Sequence, residues 1–339
     1  MASMRRIGAA IGWGLLALLI LFPIGLWSTL ALWFRTPGPE WVRALAAAAF
    51  GLLALATIAA PFFGRRLRML GCFALAFGAI LVWWSTIQPK AVANWATDVS
   101  RQATGVVSGD MLEMTDVRDF DWATRTEFTE KWVAESYDLS KLRDLDLILA
   151  YWAGPEMTHV IMSFGFEDGR HLAWSVEVRA LKGGEFSPIA DLFRNSPLVI
   201  IASEERDVVR LRTNVRKEDV QLYRLRVTPA TARAILLEYV EKSNGLAVKP
   251  RFYNSIITNC STAVVALVRA AGATLPLDWR LVVNGFLPSY LYDHGAVDTS
   301  IPLEELRERS RISARAIAAD GSPDFSRLIR VGVPVPAPR

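Results

Sequence analysis

The sequence predicts an α+β protein in which three N-terminal transmembrane helices are followed by an exported domain. Apolar residues make up 52% of the chain, and their excess lies in three long uncharged runs before residue 88. Each run is long enough to cross the hydrocarbon core of a bilayer. Beyond residue 120 the pattern changes to short strand-like segments with helices set aside, which favours α+β over a doubly wound sheet.

The three membrane runs are Ile7–Phe34, Ala44–Phe63 and Leu70–Ile87. A cleaved signal peptide is the alternative for the first run, but that run is too long for a typical signal and two more follow. Five arginines mark the side predicted to be cytoplasmic, namely Arg5, Arg6, Arg65, Arg66 and Arg68. By the positive-inside rule, the chain after residue 87 therefore lies on the far side of the membrane.

These patterns divide the chain into four parts. Residues 1–88 form the membrane anchor, 89–120 a membrane-proximal linker or helix, 121–300 the folded exported domain, and 301–339 a C-terminal extension with a loose, proline-rich end. Residues 91–105 fit an amphipathic helix and a linker equally well.

The charge distribution argues against a nucleic-acid partner. Residues 1–85 hold seven of the 38 basic residues and one of the 34 acidic ones, which leaves 31 against 33 for the rest of the chain. The basic excess is therefore a topology signal. The sequence has no glycine-rich phosphate loop, and two cysteines cannot form a cysteine zinc cluster, so we expect neither a cofactor nor a metal.

The exported domain is predicted to begin with an amphipathic helix over Thr126–Tyr137. Segments rich in β-branched residues then predict strands, and Thr158–Phe166 pairs with His171–Arg179 through a turn at Asp168-Gly169. The other predicted strands are Leu145–Trp152, Leu198–Ala202, Val208–Thr213 and Val220–Val227.

Two further helices are marked by their ends. The first begins at the N-cap Thr228, with Pro229 in the first turn, and is predicted to end at Asn244-Gly245. The second covers Asn284–Tyr292 near the end of the domain.

Between them lies the segment that carries the candidate chemistry. Asn259 is a good N-cap, apolar residues recur at helical spacing after it, and Gly272 fits the stop. Cys260 therefore falls at the first helical position, where free amides and the helix dipole favour a thiolate. The alternative is a cysteine that only packs against an apolar helix. Cys72, inside a membrane run, is expected to be inert.

A thiolate nucleophile requires an imidazole to move its protons, and the chain has three histidines. His159 on a strand is the candidate, whereas His171 lies at a hairpin and His294 at a helix end. Glu177 on the returning strand comes opposite His159 and is expected to orient the imidazole. Arg179 could bind a phosphate, with an edge-strand ion pair to Glu177 as the alternative.

Three segments together resemble the periplasmic domain of Lnb-type lipoprotein N-acyltransferases. They are THVIMSFGF at 158–166, SVEVR at 175–179 and FYNSIITNCST at 252–262, and the resemblance extends roughly from Asp121 to Gly295. The order of histidine, polar strand residue and cysteine is similar to that of circularly permuted papain-like enzymes of the NlpC/P60 superfamily. The resemblance implies a papain-like domain with Cys260 as nucleophile and His159 as its base.

The resemblance also implies a reaction and a location. An acyl chain would pass from a phospholipid, through a thioester on the cysteine, to the N-terminal amine of a diacylated lipoprotein, at the periplasmic side of a bacterial inner membrane. Besides the thiol and imidazole, our own assignment makes Glu177 and Asn259 catalytic. It assigns substrate binding to Ser175, Arg179, Tyr253, Asn254 and Ser261.

Two other functions fit the same residues. A Cys-His hydrolase of peptidoglycan stems or lipids would use the same pair in an open polar groove. A membrane-anchored scaffold would use Cys260 only for packing. Three membrane spans favour the acyltransferase over the hydrolase, and a pair that fails to meet in space would favour the scaffold.

Overall fold

The computed structural model describes residues 2–184 and 186–337, so residues 1 and 338–339, at the ends of the predicted anchor and C-terminal extension, lie outside the described residues. The chain forms two compact units. One comprises Met1–Pro89 together with Ser187–Asn195, and the other comprises Lys90–Phe186 and Ser196–Arg339.

The first unit contains three helices long and apolar enough to span a membrane, as the sequence predicts. The candidate spans are Ala10–Arg35, Glu40–Phe63 and Arg66–Thr86. The helices are α1 (Ala2–Leu16), which continues through a π-helical turn into α2 (Phe22–Arg35), then α3 (Glu40–Ala59) and α4 (Arg66–Thr86). Small residues allow close packing, since a Cβ at Gly25 would lie 2.9 Å from the Cβ of Ala54.

A short segment from later in the chain, Ser187–Asn195, also belongs to this unit. It carries α5 (Pro188–Asp191). Phe193 stacks on Phe34 at a centroid distance of 5.4 Å, and the Arg194 guanidinium lies 4.7 Å from the Trp84 ring.

The second unit is built on an antiparallel sheet. Within the described residues eight strands join it, in the order β1-β2-β9-β8-β7-β6-β10, with β5 paired to β2. A short parallel contact joins β2 and β9. The strands are β1 (Thr104–Ser108), β2 (Met111–Arg118), β3 (Asp121–Trp122), β4 (Phe128–Thr129), β5 (Trp132–Asp138), β6 (Leu142–Tyr151), β7 (Thr158–Phe166), β8 (His171–Val178), β9 (Leu198–Glu204) and β10 (Asp219–Arg224).

Helices cover both faces of this sheet. They are α6 (Glu205–Arg210), α7 (Pro229–Val248), α8 (Cys260–Ala270), α9 (Leu287–Asp293), α10 (Leu303–Ser310), α11 (Ser313–Ala318) and α12 (Phe325–Ile329). Alternation along β7 divides the core, because Val160 and Met162 pack with α7 and α8, whereas Ile161 packs with residues of α6, α11 and α12.

The α+β class, the β7–β8 hairpin and the two helices that begin after the caps Thr228 and Asn259 are confirmed. Four local predictions are wrong. Thr126–Tyr137 contains β4 and most of β5, because β5 pairs with β2 and buries Tyr137 in the core. Val208–Thr213 lies in α6 and the π-helical turn after it. Glu205 and Asp207 occupy the first turn of α6, where acidic side chains favour a helix start.

The other two errors concern chain ends. Helix α7 continues past Asn244-Gly245 to Val248, and the Asn244 side chain instead bonds both backbone groups of Gly105. The tail is packed rather than loose over residues 331–337, where Val333 is buried against the sheet.

Residues 89–120, predicted as a membrane-proximal linker or helix, contain two strands. Residues 91–105 hold a short turn at Thr97–Val99, and residues 104–118 supply β1 and β2.

Candidate active site

Cys260 is the first residue of α8, and Asn259 caps that helix. The Asn259 side-chain oxygen accepts hydrogen bonds from the amides of Ser261 and Thr262, each at 2.9 Å, and its Nδ2 donates to the Ser255 carbonyl. The Thr262 hydroxyl accepts from the Asn259 amide and completes a capping box. Asn259 therefore holds the helix start in place, and its amide group is directed to the backbone rather than to the thiol.

The thiol sits where two strands of the sheet part. The pairing of β7 with β8 ends at Ile161 and Ser175, although both strands continue beyond those residues. Helix α8 contacts both strands at this point. The Cys260 sulfur lies 3.8 Å from the Thr158 carbonyl oxygen, and the backbone N–H of Val160 hydrogen-bonds to it.

His159 projects from β7 beside the thiol and is held by two residues of β8. Its Nε2 lies 2.6 Å from the Ser175 hydroxyl and 3.0 Å from a Glu177 carboxylate oxygen. The Ser175 hydroxyl donates to the same carboxylate at 2.7 Å. With Nε2 occupied by these two partners, Nδ1 is the ring nitrogen that remains for an interaction with the Cys260 thiol.

Arg212 lies beside the Glu177 carboxylate. Its guanidinium lies 3.5 Å from Glu177 and 3.3 Å from Glu218, and it is 9% exposed. The cation lies in the π-helical turn after α6, in a segment whose sequence predicts a strand. Sequence reasoning therefore missed it, since nothing local distinguishes Arg212 from a surface arginine.

The electrostatics of this group favour an ion pair between thiolate and imidazolium. Burial alone would lower the pKa of His159, but the Glu177 carboxylate and the bond to Cys260 raise it above its ordinary value. Burial would raise the pKa of Cys260, yet the hydrogen bond and charge of His159 and the Val160 amide lower it. Burial also opposes ionisation of Glu177, but His159, Arg212 and Ser175 hold its pKa well below the usual range.

Asn284 is a second residue that sequence reasoning missed. Its side chain accepts from the Thr158 amide at 2.8 Å and donates to the Thr158 carbonyl at 2.7 Å and the Ser261 hydroxyl at 2.5 Å. The same Nδ2 lies 3.8 Å from the Cys260 sulfur. Asn284 thus ties the start of β7 to the start of α8. In the sequence, its Asn-Gly pair signals only a turn.

Of the remaining predicted site residues, some lie in the site and others make contacts elsewhere. Ser261 lies inside the site, with its hydroxyl 3.9 Å from the thiol. Arg179 donates to the carbonyls of Val99 and Ser100 and stacks over Trp95, so its guanidinium holds the segment before β1. Tyr253 is buried and lies edge-on to Phe186.

Asn254 and the other two histidines have local roles. The Asn254 side chain accepts from the amides of Ile256 and Ile257 and shapes the loop before Cys260. Nδ1 of His171 lies 3.0 Å from the Gly169 carbonyl, and Nδ1 of His294 lies 2.8 Å from the Tyr290 carbonyl. Among the described residues, no group of three or more metal-ligating side chains forms a metal site.

The candidate site lies within a range of the sequence that matches a known protein family. Residues 128–285 match the family model of the Lnb N-terminal periplasmic domain. The matched range contains the thiol, the imidazole, Glu177, Arg212 and Asn284. No curated protein and no solved structure gives a match. The three apolar helices and this match support a membrane protein with a periplasmic domain, and residues 128–285 are similar to the Lnb N-terminal periplasmic domain.

Proposed function

We propose that the protein is a membrane-anchored lipoprotein N-acyltransferase. It moves an acyl chain from a phospholipid, through a thioester on Cys260, to the N-terminal amine of a diacylated lipoprotein. The observation that carries the proposal is the buried connection from thiol to imidazole to carboxylate, Cys260–His159–Glu177, in an Lnb domain. Three membrane spans on the same chain suit a reaction whose two substrates are both lipids.

The first half-reaction loads the enzyme. The Cys260 thiolate attacks the ester carbonyl carbon of the phospholipid, and a carbon–sulfur bond forms. The developing oxyanion accepts a hydrogen bond from the Cys260 backbone amide, which the Asn259 side chain does not use for capping. The tetrahedral intermediate then expels the lysophospholipid alkoxide, which takes a proton from the His159 imidazolium.

The second half-reaction discharges the enzyme. The lipoprotein's N-terminal amine attacks the thioester carbonyl, neutral His159 accepts the proton that the amine loses, and the thiolate leaves. An amide is formed and the ion pair between Cys260 and His159 is restored. Exclusion of water from this buried site favours aminolysis over hydrolysis.

The surrounding residues position this pair. Glu177 and Ser175 fix the imidazole ring, and Arg212 keeps Glu177 ionised. Asn284 and Ser261 hold the sulfur against β7. We assign Asn259 to the helix start rather than to a proton-transfer step. Substrate contacts through Arg179, Tyr253 and Asn254 stay predictions, as does the location in a bacterial inner membrane.

Mass spectrometry of a lipopeptide N-terminus tests the proposal. The full-length protein in phospholipid vesicles is incubated with a diacylated lipopeptide whose N-terminal amine is free. We expect a mass gain of one acyl group on that amine with the wild type and with Cys72→Ala, and none with Cys260→Ala. Release of free fatty acid without an acylated peptide would identify a hydrolase and overturn the proposal.

A further inference from the structure

Large apolar side chains are exposed in the loops that surround Cys260. Ile257 is 73% exposed, Leu277 89% and Trp279 60%. We call the whole set the apolar rim, and its members are Trp152, Met157, Phe186, Ile257, Leu277 and Trp279. Single exposed apolar residues are normal on a protein surface, but a contiguous patch marks an interaction site.

Each loop of the apolar rim leads into or out of a residue of the site. Met157 directly precedes Thr158 and His159, and Ile257 lies three residues before Cys260. Leu277 and Trp279 lie on the loop that leads to Asn284. Phe186 lies on the loop that leaves β8 after Glu177. Each of these loops therefore adjoins a residue of the site along the chain.

Contacts between the loops make the rim continuous. The Trp152 ring lies 6.3 Å from that of Phe186, and Phe186 lies 6.5 Å from Tyr253 on the loop before Cys260. The Gly285 amide donates to the Glu156 carbonyl at 3.0 Å, and the Trp279 ring lies 5.1 Å from Phe286. Gly285 allows this approach, because a Cβ there would lie 2.0 Å from the Pro155 carbonyl oxygen.

The rim is continuous along the chain with the membrane anchor. Phe186 is the last residue before Ser187–Asn195, and that segment belongs to the compact unit of the membrane helices. Within that unit Phe193 stacks on Phe34, at the end of the first span. The rim itself offers tryptophan, phenylalanine and aliphatic side chains, which favour the boundary between headgroups and acyl chains.

We propose that the apolar rim rests on the bilayer surface and inserts its side chains into the boundary between phospholipid headgroups and acyl chains. This contact would bring the loops before Cys260 and His159 to the depth at which phospholipid esters lie. This inference goes beyond acyl transfer and does not rest on it, because an enzyme that hydrolysed lipid esters would need the same contact.

Fluorescence quenching in nanodiscs tests the contact directly. The full-length protein carries Cys72→Ala and Cys260→Ser, together with Ile257→Cys or Leu277→Cys labelled with a small fluorophore. Val106→Cys, on the edge strand β1 and 68% exposed, is the matched control. The discs contain phosphatidylethanolamine and phosphatidylglycerol with a fraction of acyl-chain nitroxide lipid, and iodide probes exposure to water.

We expect lipid nitroxide to quench the labels at 257 and 277 and iodide to quench them weakly, with the reverse order at 106. Rim labels that behave like the label at 106 would overturn the proposal. Rim labels that become shielded from iodide only after a diacylated lipopeptide is added would also overturn it, because the partner would then be the lipopeptide.

A second measurement connects the rim to lipid access. The double variant Ile257→Asp/Leu277→Asp should load Cys260 from vesicle phospholipid about tenfold more slowly, the factor expected from losing the burial of one large apolar side chain. Its reaction with water-soluble iodoacetamide should be unchanged, and Val106→Asp should change neither rate. Equal loading by the double variant and the wild type would contradict the proposal. If no variant loads at all, acyl transfer fails and the quenching experiment alone decides the bilayer contact.

Discussion

Two buried clusters of charged or titratable side chains adjoin the sheet, and they differ in what they can do. One joins Cys260, His159, Glu177 and Arg212. The other joins two carboxylates to two arginines, Asp146, Glu205, Arg224 and Arg330. Burial is common to both, so burial alone does not mark a reactive site.

The second cluster holds the C-terminal extension against the sheet. Arg330 lies 2.5 Å from Glu205 and 2.9 Å from Asp146, and Arg224 lies 2.5 Å from Asp146. Each carboxylate there has an arginine partner, and no proton needs to move. The first cluster instead couples a carboxylate to two groups that titrate near neutral pH, a thiol and an imidazole.

The two histidines of the hairpin show the same contrast. His159 and His171 are both buried strand residues. Burial lowers the pKa of His171, and the charge of Glu205 near it is countered by Arg330. The pKa of His159 is raised in spite of burial, because Glu177 contacts its ring. A contacting carboxylate therefore separates the candidate base from a structural histidine.

The largest effect is expected from the thiol. Cys260→Ala should lower acyl transfer by roughly a thousandfold or more, because the thioester that carries the acyl chain cannot form without the thiol. Cys72→Ala is the matched control and should keep wild-type activity, since no base lies near a thiol in a membrane span. Retention of most activity by Cys260→Ala would contradict covalent catalysis.

The next largest effect is a difference in acyl-transfer rate between variants of His159 and His171. His159→Gln should lower acyl transfer by roughly 10²–10⁴-fold, the usual contribution of a general acid and base. His171→Gln should stay within about threefold of the wild type, a change too small for a lost acid or base. The test is the rate of lipopeptide acylation per folded molecule, with folding checked by circular dichroism. Equal losses in the two variants would contradict the contrast drawn between them.

Glu177→Gln should produce a smaller effect with a defined pH signature. Without the carboxylate, the pKa of His159 falls and that of Cys260 rises toward the value of a free thiol. In the wild type the thiolate forms below the pH of a free cysteine, and the imidazolium persists above its usual range. Iodoacetamide alkylation near pH 7 should slow by about tenfold for each unit by which the thiol pKa rises.

The pH profile of alkylation is the measurement for this variant. The profile of Glu177→Gln should move to higher pH, while Glu113→Gln, at an exposed position on β2, should not move it. A profile that stays in place would show that Glu177 does not control the pair.

Breaking the cluster of Asp146, Glu205, Arg224 and Arg330 should lower the free energy of unfolding and leave the acylation rate unchanged. Arg330→Met removes the arginine partner of the buried Glu205 and one of the two arginine partners of Asp146. Breaking a buried pair in this way costs about 3–5 kcal/mol of unfolding free energy. The thermal midpoint of the exported unit should fall, and the acylation rate per folded molecule should be unchanged. Arg327→Met, in an exposed ion pair three residues earlier in the chain, should leave both unchanged. A lost rate with an unchanged midpoint would give this cluster a catalytic part.

Much of the site could be predicted from the sequence because its signals are local. The Asn259 cap, the apolar spacing after Cys260 and the hairpin turn at Asp168-Gly169 each depend on neighbours in the chain. The hairpin pairs Ile161 with Ser175, and the two-residue periodicity then puts His159 and Glu177 on the same face just beyond that last pair, where their side chains meet. These features together predicted the strand and helix that carry the reactive pair.

The rest depends on contacts between distant parts of the chain. Arg212 reaches Glu177 from a turn 35 residues further along the chain, and Asn284 reaches Thr158 across 126 residues. The β5 segment has a pattern that also fits a helix, and only its pairing with β2 decides for a strand. Tertiary packing fixes such elements, so local patterns did not reveal them.

Mass spectrometry of the Cys260 peptide after exposure to phospholipid alone tests acyl transfer most directly. We expect a mass increase of one fatty acyl group that neutral hydroxylamine removes, with poor loading in His159→Gln. A diacylated lipopeptide with a free amine should discharge the thioester, whereas its N-acetylated counterpart should not, because the acetyl group blocks the attacking nitrogen. Equal discharge by both peptides or by water would indicate a hydrolase, and a folded protein that never forms the adduct would contradict the covalent mechanism.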